Sequence, residues 1–213
     1  MKRMPRLLAI ALLAGCAGGP PTPTWQLDAS AAADDAVQAW LGGDARIEVQ
    51  ASTRLREAIS KTGRPAMLAR AELLRCAARV ATLVFEPCAA FEALRVDAEA
   101  PERAYADYLA GQPVADADAL PPAQRAVLRG GPSALAAIED PLSQLVAAGV
   151  LVKSGRADPA TLQIAADTAS AQGWRRAVLA WLTALKARAD AAGDRAQAEQ
   201  LQRRIDLAGA ARP

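Results

Sequence analysis

The chain has 213 residues, 52% of them hydrophobic and 23% charged, enough apolar material for one buried core and too much for a disordered polypeptide. Its formal charge is +2, but setting aside the amino-terminal Lys2, Arg3 and Arg6 leaves 22 basic residues against 23 acidic, a formal −1, so no electrostatic case stands for nucleic acid or acidic substrates. Histidine is absent, which removes the commonest general base and metal ligand and confines any chemistry to carboxylates, hydroxyls and lysines.

Residues 1–15 have a basic start, an apolar stretch from Leu7 to Leu13, and the small residues Ala14 and Gly15. This is the pattern of a secretory leader. The apolar stretch is well short of the roughly 20 residues a spanning helix needs, and no later segment is long and charge-free enough to replace it.

At the junction the order Leu13-Ala14-Gly15-Cys16 resembles the lipobox of bacterial lipoproteins. The resemblance implies cleavage before Cys16, a diacylglyceryl thioether on its sulfur, and acylation of the new amino terminus. Such an anchor holds stably, because each buried methylene adds ~0.8 kcal/mol and more than one chain is present. In that family an aspartate after the cysteine favours inner-membrane retention. Ala17 stands there instead, which implies the outer membrane, with the domain on its periplasmic face. The other reading is an ordinary secretory leader with a conventional cut nearby. Residues 16–27, with Gly18, Gly19, Pro20, Pro21 and Pro23, read as the lipidated start and an extended tether, ending at Trp25, which would dock the first helix.

From Asp28 to the end of the chain, alanine and leucine dominate while β-branched and aromatic residues are scarce, a composition that favours helix. Asp or Glu before Pro opens a stretch and Gly closes it, as in Asp140-Pro141 to Gly155 and Asp158-Pro159 to Gly173. An Asp side chain caps free amides, Pro suits the first turn and Gly the left-handed exit. Asp34-Asp35 is expected in the opening turns of the first helix, offsetting its dipole. Lys61-Thr62-Gly63 matches the Lys-Thr-Gly box of penicillin-binding enzymes, but no Ser-x-x-Lys accompanies it, and Gly63 reads as a helix stop. A helix from about Pro65 carries Cys76. Cys88 follows Pro87, where the next helix would start. In an oxidising compartment this pair predicts a disulfide, the alternative being two buried free thiols.

Tyr105 and Tyr108, on a short helix after Pro101, are expected in the core. Asp116-x-Asp118 sits in a loop before Pro121-Pro122 and lacks the glycine and distal glutamate of a calcium hand. Trp174 to about Ala192 is the clearest amphipathic helix, with Trp174, Val178, Trp181, Leu182, Leu185 and Ala189 on one stripe and Arg175, Arg176, Lys186 and Arg188 mostly off it. A Gly193-Asp194 turn leads into a helix with Ala198, Leu201 and Ile205, on which Arg203-Arg204 reads as a solvated face. This last unit resembles a tetratricopeptide repeat, with Ala189 where that family has an aromatic residue.

The expected fold is all-α: antiparallel helix pairs forming an α-solenoid-like array or an irregular helical bundle over residues 28–213. The favoured function is a noncatalytic accessory or scaffold, tied to the membrane through the lipid on Cys16 and contacting an envelope protein, with no cofactor, no metal and no nucleic acid. The alternative is a carboxylate-dependent cell-wall hydrolase, which needs two acidic residues facing each other across a cleft.

Overall fold

The computed structural model describes residues 21–210. Cys16, the leader and the start of the tether lie outside the described residues. Within them there is no strand. The helices are α1 (Thr24–Gly42), α2 (Ala45–Ser60), α3 (Pro65–Val80), α4 (Ala89–Glu92), α5 (Ala100–Ala110), α6 (Pro122–Gly130), α7 (Pro141–Lys153), α8 (Pro159–Ala171), α9 (Arg175–Ala191) and α10 (Arg195–Ala210), with 3₁₀ segments at Ala117–Ala119 and Gly131–Ala137.

The turns follow one local chemistry. Gly43 (φ 96°) and Gly193 (φ 72°) take the left-handed conformation, and the next residue is an aspartate that caps the following helix. Asp44 accepts from Ile47 N–H at 2.9 Å and Asp194 from Gln197 N–H at 3.0 Å. A reciprocal cap opens α8, where Asp158 accepts from Thr161 N–H at 2.7 Å while Asp158 N–H donates to Thr161 Oγ1 at 3.3 Å, satisfying two helix-end groups at once. Each short turn folds the chain back, so α1 packs on α2 and α9 on α10.

Contacts far apart in sequence close the assembly. Helix α1 lies against α3 and α9 as well as α2, and α3 against α5 and α7. A solenoid unit touches only its sequence neighbours, so this all-α fold is an irregular bundle of helix pairs, with α10 laid along α9.

The end of α3 is where the long-range contacts converge. Trp181 donates from Nε1 to Ala81 O at 2.9 Å, and Trp40 from Nε1 to Thr82 Oγ1 at 3.0 Å. Gly149 of α7 sits so close that a Cβ there would lie 2.3 Å from Val80 O. Leu83, at φ 60°, turns the chain away, a left-handed conformation costing a leucine ~1–2 kcal/mol; its side chain packs against the main core, which offsets that cost. Trp181 is fully buried and Trp174 nearly so, as their stripe predicts. Trp174 Nε1 also reaches Gln38 Oε1 of α1 at 2.7 Å.

Two expectations are corrected. Helix α1 begins at Thr24, ahead of Asp28, because nothing after Pro23 interrupts it; Trp25 therefore lies within its first turn rather than on a tether. Asp34 and Asp35 consequently fall mid-helix, away from the dipole's positive end, and Asp35 pairs with Arg54 at 2.9 Å. Arg175 and Arg176, off the apolar stripe, are half-buried. Arg175 donates to Ala208 O and Gly209 O near the end of α10, and Arg176 packs over Trp40.

Candidate functional site

Three glutamates are buried: Glu48, Glu72 and Glu102. Two are brought together by α2 and α3, with a guanidinium between them. Arg75 donates to Glu48 Oε1 at 3.0 Å and to Glu72 Oε2 at 3.1 Å, while Arg56 holds Glu72 Oε1 at 2.6 Å and Ser52 Oγ donates to Glu48 at 3.1 Å. A glycosidase pair needs a free acid and a free base facing the sugar. Here Arg75 engages both carboxylates, so the cluster ties α2 to α3.

Beside this network, Arg176 stands 3.9 Å and Arg79 5.2 Å from the Trp40 ring centre. Cation–π contacts of this kind contribute ~0.5–2 kcal/mol depending on desolvation. Burial lowers the Arg176 pKa, the neighbouring Arg79 charge lowers it further, and Glu48 acts the other way. The stack fastens α1, α3 and α9 together.

Glu102 is held differently. Arg70 Nε and Nη2 both donate to its Oε1, at 2.8 and 2.5 Å, leaving Oε2 buried without a hydrogen-bond partner. The pair forms the polar edge of a cavity of about 320 Å³ between α3 and α5, whose other walls are Leu73, Leu74, Pro101, Tyr105, Ala119 and Pro121. Tyr105 stacks on Tyr108, ring centres 6.2 Å apart. Burial raises the pKa of both phenols, so they stay neutral. An apolar hollow with a few convergent polar groups is the usual form of a binding site.

The residues singled out in the sequence are distributed as follows. Cys16 lies outside the described residues. Cys76, in α3, and Cys88, just before α4, are placed at disulfide distance with Cα atoms 5.9 Å apart, within the range a bridge requires. Asp116 accepts from Asp118 N–H at 2.9 Å, and the Asp118 carboxylate takes Arg129 at 2.9 Å, so these carboxylates serve a turn and an ion pair. Among the described residues no group of three or more acidic or cysteine side chains is arranged to hold a metal. Lys61-Thr62-Gly63 ends α2, with Thr62 Oγ1 donating to Ile59 O at 2.6 Å and Gly63 at φ 60°. Arg203 is exposed and Arg204 half-buried on α10.

Sequence reasoning missed the Arg70–Glu102 pair. Glu102 follows Pro101 in the first turn of α5, where an acid is already explained by the helix dipole, and Arg70 is 32 residues away. Compared with known protein families, curated proteins and solved structures, the chain matches none.

Proposed function

We propose that this chain is a lipid-anchored protein of the bacterial outer membrane, facing the periplasm, that acts without catalysis by holding a partner protein of the envelope against its helical bundle. The anchor rests on Leu13-Ala14-Gly15-Cys16 after an apolar leader. No helix among the described residues is long and apolar enough to cross a membrane, which is compatible with attachment through lipid. The observation that carries the binding reading is the cavity between α3 and α5. Glu48 and Glu72 are committed to links between helices, whereas the α3–α5 cavity is apolar, opens at the surface and carries the Arg70–Glu102 pair among its lining residues.

In-cell crosslinking tests this. A photoreactive residue at position 74, on the cavity wall, should give one reproducible crosslinked envelope protein, and the same residue at exposed position 203 should not. Repeated absence of any crosslinked protein from either position would count against the scaffold reading.

A further inference from the structure

Residues 84–99, between α3 and α5, are held to the bundle by few groups. Their one helix, α4, packs on α3 and on no other helix among the described residues. Every backbone-to-backbone hydrogen bond of residues 85–98 closes within that stretch. Only Phe91 and Ala98 are buried there, so burial anchors the stretch chiefly through one ring. Three side-chain contacts add to it: Arg95 Nη2 donates to Asp107 at 2.5 Å, Arg103 donates to Ala98 O, and Lys153 Nζ stands 5.7 Å from the Phe85 ring centre. The Arg95–Asp107 pair is 34% and 32% exposed, and ion pairs so open to water contribute little.

The bundle closes without this stretch. Helix α3 meets α1, α5 and α7 directly, and α1 meets α9. The turn that precedes it is fixed by Trp181 on Ala81 O and Trp40 on Thr82 Oγ1, and the chain leaves that turn at Leu83. What remains is a covalent tie. Cys88 lies 12 residues beyond Cys76 with a Cα separation of 5.9 Å, so a bridge pins the start of α4 to the body of α3. It also takes chain entropy from any state in which the stretch has come away, and regions with few buried contacts are the ones that open locally.

We infer that residues 84–99 form a strap latched by the Cys76–Cys88 bridge, which is released as a unit on reduction while the other helices stay packed. The reductant is a dithiol. One of its thiolates attacks the sulfur of Cys88, which is half-buried, whereas Cys76 is only 6% exposed. Cys76 leaves as a thiolate and takes up a proton. The second thiol of the reductant then displaces Cys88 from the mixed disulfide, so two electrons and two protons pass to the protein and the reductant becomes a disulfide. Losing the loop closure multiplies the open fraction about a hundredfold. Opening bares Phe91 and the core beneath it. This device goes beyond the partner-binding function and does not depend on it.

Pulsed hydrogen exchange read by mass spectrometry tests the latch on the full chain, before and after dithiothreitol, with free thiols counted by alkylation in each sample. In a pulse too short to label α1, α7 and α9 of the oxidised protein, the amides of residues 89–98 should exchange about a hundredfold faster after reduction. Helices α1, α7 and α9 should stay unlabelled, and oxidised glutathione should restore slow exchange in the strap. Unchanged exchange over residues 89–98 once both thiols alkylate would overturn the inference. So would labelling of α1, α7 and α9 in the same pulse, failure of re-oxidation to restore protection, or cysteines already free in the protein as isolated. Reduction and re-oxidation act on the unaltered chain, so no outcome depends on whether a variant folds.

Discussion

Replacing Gly149 with alanine puts a methyl group where α3 and α7 touch. In an isolated helix this substitution gains ~1 kcal/mol. Here the new Cβ would stand 2.3 Å from Val80 O and 2.9 Å from Val80 Cγ1, whereas ordinary contact begins at 3.4 Å. The helices would have to part by about 1 Å, and overpacking of this kind costs ~1–3 kcal/mol. The atom displaced is backbone, and it belongs to the segment that carries the Leu83 N–H bond at 3.0 Å and, one residue on, the bond from Trp181. The clash therefore falls at or above the top of that range and outweighs the propensity gain, giving a net loss of ~2 kcal/mol. For a chain of this size that lowers Tm by roughly 4–8 °C. Thermal unfolding followed by far-ultraviolet circular dichroism measures the shift, and urea unfolding the free energy. A Gly149→Ala protein that melts at or above the wild-type temperature would refute the close packing of α3 on α7.

Trp181→Phe keeps most of the buried ring but removes the donor to Ala81 O, and should destabilise by at least ~1–3 kcal/mol, measured by the same unfolding curves; an unchanged midpoint would exclude that bond. Alkylation before and after reduction should label Cys76 and Cys88 only in the reduced protein, and Cys76→Ser with Cys88→Ser should lower stability by about 3 kcal/mol; thiols that alkylate in the denatured, unreduced protein would exclude the bridge. Hydrogen bonds from the Thr161 side chain and backbone hold the Asp158 carboxyl below its ordinary pKa of 3.8. A depressed folded pKa means the cap's contribution is present above that ordinary value and fades as pH falls through it toward the lower folded value. Asp158→Asn should therefore flatten that part of the acid unfolding curve, and an unaltered acid limb would contradict it.

The helices were legible because their signals are local. Asp158-Pro159 and Asp140-Pro141 start helices, and Gly155, Gly173 and Gly193 end them, each through groups within a few residues. The apolar stripe of α9 likewise foretold the burial of Trp181. What the stripe could not give is the atom that Trp181 reaches, 100 residues away. The same holds for Arg176, which lies off the stripe and whose partner is the Trp40 face. Helix α1 starts ahead of Asp28 because Pro23 already sets the backbone for the first turn. The Arg70–Glu102 edge was hidden for a related reason: each residue has an ordinary local explanation, and the unmet oxygen exists only once α3 and α5 are packed.

Intact-mass analysis of the protein purified from its native envelope, beside a Cys16→Ser version, tests most directly whether this bundle is held at the membrane by lipid. A mature chain beginning at Cys16 and carrying acyl groups, with the modification lost in the variant, is the predicted result. An unacylated chain, cut elsewhere or retaining residues 1–15, would contradict the account.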